Sequence, residues 1–122
     1  IMLPCLGVVS TFTTTGPELD HWLRGKNALC DFLVKNTVDE VKTYAEGKVW
    51  SRVLWDVTAV AWLLNDDHRY IHSRLIPTPA PESDPHWGSA PLNPLCRHAY
   101  HINRDALLGD LFQKLIEGGG RA

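Results

Sequence analysis

The chain opens with a continuous apolar run, and a helical spacing of apolar residues follows it. The run from Ile1 to Val9, IMLPCLGVV, is typical of a strand buried on both faces, with an edge or a bulge at Pro4. Thr15 and Glu18 then have the spacing of a capping box, which predicts the start of a helix. The buried face of that helix is predicted to comprise Leu19, Trp22 and Leu23.

Two further helices are predicted in the first half of the chain. Apolar residues recur at spacings of three and four from Asn27 to Tyr44, and Gly47 follows as a stop signal. The segment from Val57 to Leu64, VTAVAWLL, is apolar on every side, so we expect a helix that is buried all round. Asp56 directly precedes this segment and is the expected N-cap.

The remainder of the chain predicts a loop, a strand and a helix. Six of the eight prolines lie from Pro77 to Pro94, which favours an extended loop. The alternating segment from Cys96 to Asn103 predicts a strand, and the segment from Arg104 to Ile116 has a helical apolar face that ends at glycines 118–120. This order of elements indicates an α/β layer architecture, although two strands are too few for a free-standing sheet.

Charge and composition argue against two classes of partner. The 122 residues carry twelve Lys and Arg against fourteen Asp and Glu, a net charge of −2, without the basic patch that a nucleic acid requires. The longest apolar run, Ala59–Leu64, is far shorter than the roughly 20 residues of a membrane-spanning helix. Three widely spaced cysteines do not suggest a disulfide framework, so we expect buried, reduced thiols in a cytoplasmic chain.

Trp55 and Asp56 are the candidate site residues. The carboxylate of Asp56 is either a helix cap or a metal ligand. A hard cation such as Ca²⁺ takes about six to eight oxygens, and no second acidic residue lies near Asp56 in the sequence, so Asp56 alone makes an incomplete site. The ring of Trp55 either packs in the core or stacks on a base or a sugar. Trp50 and Trp62 are expected to be packing residues.

The other reactive residue types form no recognisable motif. His68 and His72 stand among polar residues after a helix, and His98 and His101 face opposite sides of the predicted strand, so neither pair is expected to bind a metal. The sequence contains no motif of a Ser, His and acid triad and no glycine-rich phosphate loop. Nucleophilic catalysis and the binding of a nucleotide phosphate are therefore not expected.

Four segments together resemble one enzyme family. They are IMLPCLGVVS, PELDHWL, LWDVTAVAWLL and HINRDALLGDLFQKL, and their order and spacing resemble the C-terminal third of the inosine-uridine nucleoside hydrolases. The pair Trp55-Asp56 is the more specific part of the likeness, and the sequence from Asn103 to Ala106, NRDA, supports it. The proline-rich loop from about Pro77 to Pro94 lies outside the likeness.

The resemblance implies an enzyme that hydrolyses the N-glycosidic bond of ribonucleosides. In this family Ca²⁺ holds the ribose hydroxyls while an activated water attacks the anomeric carbon, and Asp56 would be one Ca²⁺ ligand. An aromatic residue at position 55 resembles the purine-preferring branch, in which the ring stacks on the base, so Trp55 is the implied substrate contact. The implied fold is the Rossmann-like open sheet of the family with flanking helices.

One departure from the family pattern sets a further expectation. The family carries its water-activating aspartate and most of its Ca²⁺ ligands in an N-terminal cluster of the form D-x-D-x-x-x-D-D, which this sequence does not contain. We therefore expect residues 1–122 to be the C-terminal segment of a single nucleoside hydrolase domain, inactive alone and homo-oligomeric in the complete enzyme. The alternative is a non-catalytic α/β module that associates through an exposed edge strand at Ile1–Val9.

Overall fold

The computed structural model of the chain describes residues 1–84 and 86–119, and these residues form four α-helices and six short strands. The helices are α1 (Gly16–Leu23), α2 (Ala28–Ala45), α3 (Val57–Leu63) and α4 (Arg104–Gly118). The strands are β1 (Thr13–Thr14), β2 (Arg52–Val53), β3 (Ile71–Pro77), β4 (Ala80–Pro81), β5 (Trp87–Gly88) and β6 (Leu95–Ile102). Pro85 and Gly120 lie outside the described residues, so the predicted proline-rich loop and the terminal glycines are described only in part.

The strands pair two by two, and all three pairs are antiparallel. β3 pairs with β6 over its whole length, with a bulge between His72 and Ser73, whereas β1–β2 and β4–β5 are pairs of two residues each. The described residues are thus a mixture of helices and strands, as the sequence predicts. Parallel pairing within this part of the chain is limited to one bridge between Met2 and His98, so an open Rossmann-like sheet stays a prediction.

The apolar N-terminal run is not a strand, and the prediction for it is wrong. Met2 alone bridges to β6, and from Pro4 onward the chain turns, with the Val9 N–H donating to the Pro4 carbonyl at 2.9 Å. Gly7 adopts a φ of +80°, which is incompatible with extended backbone. Because Pro4 offers no N–H to a ladder, the run folds back on itself and leaves Leu6 86% exposed. The edge strand that the alternative function needs is therefore absent from this run.

Side chains cap α1, as the sequence predicts, and α2, for which the sequence predicts the start near Asn27 but not the cap. The Thr15 hydroxyl accepts a hydrogen bond from the Glu18 N–H at 3.4 Å, and the Asn27 side chain accepts one from the Cys30 N–H at 2.8 Å. Both caps satisfy a backbone donor that has no partner inside the helix. The Glu18 carboxylate does not complete the capping box, because it bonds Arg104 of α4 instead.

Trp22 and Cys5 are exposed, although the sequence predicts that both are buried. Leu19 and Leu23 of α1 are buried as predicted, whereas Trp22 is 53% exposed. Leu19 and Leu23 lie one above the other on the helix face that contacts the core, and Trp22 lies beside that face, next to a cavity along α4. Among the cysteines, Cys30 is buried in α2, but Cys5 is exposed in the N-terminal turns.

The apolar helix α3 forms where it is predicted, but it is not buried all round. Thr58 and Ala61 face the core, whereas Val60 and Leu63 are 57% and 81% exposed. The prediction fails because other elements of the described chain cover α3 on one face only. Exposed apolar side chains that adjoin one another are typical of surfaces that contact another polypeptide.

One hydrophobic core joins α1, α2, α4 and the β3–β6 pair. Its most deeply buried side chains come from distant parts of the sequence and include Phe12, Leu23, Val34 and Ile71. Asn103 connects β6 to α4, and its side chain caps α4 by accepting from the Ala106 N–H at 3.4 Å. Among the described residues, none of the helices combines the length and the apolar character that crossing a membrane requires.

β3 is a strand that the sequence pattern does not predict. Its central residues His72, Ser73 and Arg74 are polar or charged, and the strand ends in a proline, so no clear alternation marks it. Pairing with β6 supplies its hydrogen bonds. The proline-rich connection between the two strands closes on itself, since the Thr78 N–H donates to the Pro94 carbonyl at 2.9 Å and β4 pairs with β5.

Candidate functional site

Trp55 and Asp56 lie in the turn that leads into α3. Just before the turn, the Leu54 N–H donates to the Phe12 carbonyl at 3.0 Å, which anchors the chain to the core. Just after it, the Thr58 hydroxyl donates to the Trp55 carbonyl at 2.8 Å, so the first helical turn starts from Trp55. Hydrogen bonds on both sides therefore fix the backbone of the two candidate residues.

Asp56 immediately precedes α3, but its side chain does not cap the helix, contrary to the prediction. Its backbone is already helical, with φ −78° and ψ −16°, and it makes no side-chain capping bond. An N-cap residue is normally extended, because only then does its side-chain oxygen reach the free N–H groups of the first turn. Asp56 is also exposed, and its carboxylate is consequently open to solvent.

The three tryptophans around α3 have different surroundings. Trp62 is partly buried and packs against the core, and Trp50 lies so close to Gly16 that a Cβ built there would be 2.8 Å from the ring. Both are packing residues, as predicted. Trp55 is 44% exposed, so its ring has a surface available for contact.

A polar cluster that the sequence did not predict links α1, β1 and α4. The Arg104 guanidinium donates to the Glu18 carboxylate, to the Thr13 carbonyl at 3.0 Å and to the Asp105 carboxylate at 2.8 Å. The Thr14 hydroxyl donates to the same Glu18 oxygen at 2.8 Å. Glu18 and Arg104 are 86 residues apart, so no local pattern could have paired them.

Charge pairing dominates this cluster. Partial burial raises the pKa of Glu18, but the hydrogen bonds from Arg104 and Thr14 outweigh it and hold that pKa below its ordinary value. Burial likewise lowers the pKa of Arg104, and the bonds to Glu18 and Asp105 outweigh it and raise that pKa. Both groups are therefore ionised at neutral pH, and the cluster acts as a cross-link between elements.

Three histidines gather on the β3–β6 pair. His72 and His101 are opposite each other in the ladder with ring centroids 5.5 Å apart, and His68 stacks on His72 at 6.2 Å. The sequence suggests only the pairs His68–His72 and His98–His101, because the pairing of β3 with β6, which places His72 opposite His101, is not predicted from it. Across residues 1–84 and 86–119, no three His, Cys, Asp or Glu side chains are arranged to hold a metal ion, and this includes Asp56 and the histidines.

Comparisons with models of protein families, with curated proteins and with solved structures give no match to the chain.

The turn that carries Trp55 and Asp56 is separate from a cavity in another part of the fold. The turn that carries Trp55 and Asp56 lies on the surface beside the exposed face of α3. A cavity of about 440 Å³ lies elsewhere, between α1 and α4, and neither Trp55 nor Asp56 lines it.

Proposed function

We propose that this chain supplies a calcium ligand, Asp56, and a base contact, Trp55, to a ribonucleoside hydrolase that acts on purine nucleosides. The proposal rests on the resemblance of the Trp55-Asp56 segment to the inosine-uridine nucleoside hydrolases. The observation that carries it is the free carboxylate of Asp56, which lies at the surface and is not used to cap α3. A carboxylate that stabilises no helix is available to a metal ion.

Calcium fits Asp56 as one donor of several. Ca²⁺ takes about six to eight oxygens, and Asp56 offers at most two, so other residues would have to complete the site. When bound, the ion would hold the ribose hydroxyls and polarise them. Asp56 would contribute negative charge and would help to position the ion. The hydrogen bonds at Leu54 and Thr58 keep the backbone of Asp56 in place.

Trp55 is suited to contact the base because it precedes Asp56 directly. Base stacking on an aromatic ring is worth about 1–3 kcal/mol per base and tolerates different bases. Its ring is partly exposed, so it has free surface, and the hydrogen bond from the Thr58 hydroxyl to its carbonyl fixes the backbone that carries the ring. This arrangement supports a role in binding rather than in the bond-breaking step.

The exposed face of α3 supports the view that more polypeptide covers this region. Val60 and Leu63 lie within two turns of Asp56 and are mostly exposed. In the complete enzyme that we propose, further polypeptide would lie against this face. Covering it would also remove water from around Trp55 and Asp56, which strengthens both contacts.

Measuring inosine hydrolysis by the polypeptide that unites this segment with an aspartate cluster tests the proposal. Asp56→Asn should lower Ca²⁺ affinity by at least about tenfold and reduce turnover strongly, since the amide keeps the shape but loses the charge. The matched control is Asp66→Asn, which alters another exposed aspartate and should leave turnover unchanged. Full activity in Asp56→Asn would refute the proposal.

The same assay tests the base contact. Trp55→Ala should raise KM for inosine by about 5- to 150-fold, the equivalent of 1–3 kcal/mol of stacking. Trp87→Ala, which changes another exposed tryptophan on β5, is the matched control and should leave KM unchanged. An unchanged KM in Trp55→Ala together with a lowered melting temperature would assign Trp55 to packing and withdraw the preference for purines.

A further inference from the structure

A cavity of about 440 Å³ lies between α1 and α4. Its wall is largely apolar and comprises Trp22 of α1 together with Leu108, Phe112 and Ile116 of α4. Pockets of about 300–1,000 Å³ with apolar walls and a few polar groups are typical of small-molecule sites. Trp22, the exposed residue predicted to be buried, forms one side of this cavity.

Gly109 in the middle of α4 helps to create the space. It lines the cavity, and a Cβ built on it would have nothing within 4 Å, so no close packing contact demands a glycine there. Glycine in a helix interior is less favourable than alanine. The missing side chain therefore costs helix stability and leaves room beside Phe112.

The charged groups at the rim favour a cation. Three carboxylates line the cavity, those of Glu18, Asp105 and Glu117, against the single guanidinium of Arg104. All three guanidinium nitrogens of Arg104 already donate, to Thr13, Glu18 and Asp105, so its positive charge is paired with two carboxylates. Each of the three carboxylates accepts hydrogen bonds through one oxygen, and its second oxygen accepts none from the described residues.

We propose that this cavity binds a small organic cation, namely an aromatic body that carries an ammonium group. The aromatic body would lie against Phe112 and Leu108 in the space left by Gly109. The ammonium would be held by the rim carboxylates and by the ring face of Trp22, since aromatic rings attract cations at about 6 Å or less. This site goes beyond the proposed function and is independent of it, because neither Trp55 nor Asp56 lines the cavity.

Titrating the chain with three indole compounds of similar size tests the proposal. The probes are tryptamine, which is a cation, tryptophol, which is neutral, and indoleacetate, which is an anion, and calorimetry measures binding of each. Tryptamine should bind about tenfold more tightly than tryptophol, the combined effect of an exposed ion pair and a cation–π contact, and indoleacetate should bind most weakly. Equal affinity for all three, or no binding of tryptamine, would overturn the proposal.

Substitution of the two helix glycines locates the site. Gly109→Leu fills the cavity and should weaken tryptamine binding by more than about tenfold, the equivalent of about 1.4 kcal/mol. Gly118→Leu places the same side chain on the same helix outside the cavity, where a Cβ also has free space, and should bind as wild type. Equal losses in both variants would overturn the proposed location.

Two further variants, Asp105→Asn and Trp22→Leu, test the proposed contacts with the ammonium group. Asp105→Asn changes a side chain that is 88% exposed, so it should weaken tryptamine binding without affecting tryptophol binding or the fold. If circular dichroism shows that Gly109→Leu has lost its helices, Trp22→Leu replaces it, since Trp22 is itself largely exposed. Wild-type affinity for tryptamine in Trp22→Leu and in Asp105→Asn would contradict the proposal.

Discussion

Replacing Glu18 by glutamine should destabilise the fold by about 1–2 kcal/mol. Arg104 donates to the Glu18 carboxylate and to the Thr13 carbonyl, so one contact ties α1, β1 and α4 together. A hydrogen bond to a charged group contributes about 1.5–3 kcal/mol. The side chains of Glu18 and Arg104 are 23% and 30% exposed, and glutamine retains one acceptor, so we expect a loss of about 1–2 kcal/mol, at or just below the lower end of that range.

Urea unfolding followed by far-UV circular dichroism measures this loss. The matched control is Asp20→Asn, which removes the exposed ion pair of Asp20 with Arg24 on the same helix. Exposed pairs of this kind are worth about 0.3–0.5 kcal/mol, so the control should lose far less than Glu18→Gln. Equal losses in Glu18→Gln and Asp20→Asn would refute the view that this pair cross-links the fold.

The effect of Glu18→Gln should also depend on pH. The pKa of Glu18 lies below its ordinary value of 4.5 in the folded chain, so its ionised form is the one that folding favours. Its contribution to stability is therefore fully present above that ordinary value and is lost as the pH falls through the folded pKa. The stability difference between the wild type and Glu18→Gln should accordingly shrink in urea titrations below about pH 4.5. A difference that grows in acid would contradict this reasoning.

Three further outcomes follow from the fold and the site. Phe12→Ala, which empties a fully buried position in the core, should lower the free energy of unfolding by about 3–5 kcal/mol in urea titrations, and a loss below about 1 kcal/mol would be inconsistent with that burial. Gly47→Ala should lower the melting temperature, because Gly47 has a φ of +72°, whereas Gly118→Ala should not lower it. The 122-residue chain alone should bind Ca²⁺ only at millimolar concentration or above in calorimetry, since Asp56 supplies so few of the required oxygens; micromolar binding would reveal further ligands within it.

Local signals predicted the helices and one long strand well. The caps at Thr15 and Asn27 act through side chains that bond the backbone within three residues, so the sequence alone contains the information. The same holds for α4, which follows the alternating strand β6 and starts after Asn103. The presence of these helices and the residues at which they begin could therefore be predicted without the tertiary structure.

Burial and strand pairing depend on partners that the local pattern does not contain. The run from Ile1 to Val9 has the apolar character of a strand, but the chain turns at Pro4 and Gly7. In contrast, β3 lacks that apolar character and is nevertheless a strand, because it pairs with β6. Likewise α3 is apolar enough for complete burial, yet the described chain covers only one of its faces. The composition of a segment indicates how much apolar surface it could bury. The tertiary fold determines which neighbouring elements cover that surface.

The candidate site could be predicted only as far as residue identity. The sequence placed Trp55 and Asp56 side by side before a helix, and they do lie there. It could not foresee that Asp56 has helical backbone angles and makes no capping bond, because an Asp directly before a helix normally favours an extended N-cap. The Glu18–Arg104 pair and the α1–α4 cavity escaped notice because their residues come from opposite ends of the chain.

Calcium titration of the complete enzyme that the proposal requires shows whether Asp56 is a calcium ligand. Isothermal calorimetry would compare the wild type with Asp56→Asn, and far-UV circular dichroism would confirm that both are folded. We expect one Ca²⁺ per active site in the wild type and an affinity at least about tenfold weaker in Asp56→Asn, with little change in stability because Asp56 caps no helix. Unchanged Ca²⁺ affinity in a folded Asp56→Asn protein would show that Asp56 is not a calcium ligand.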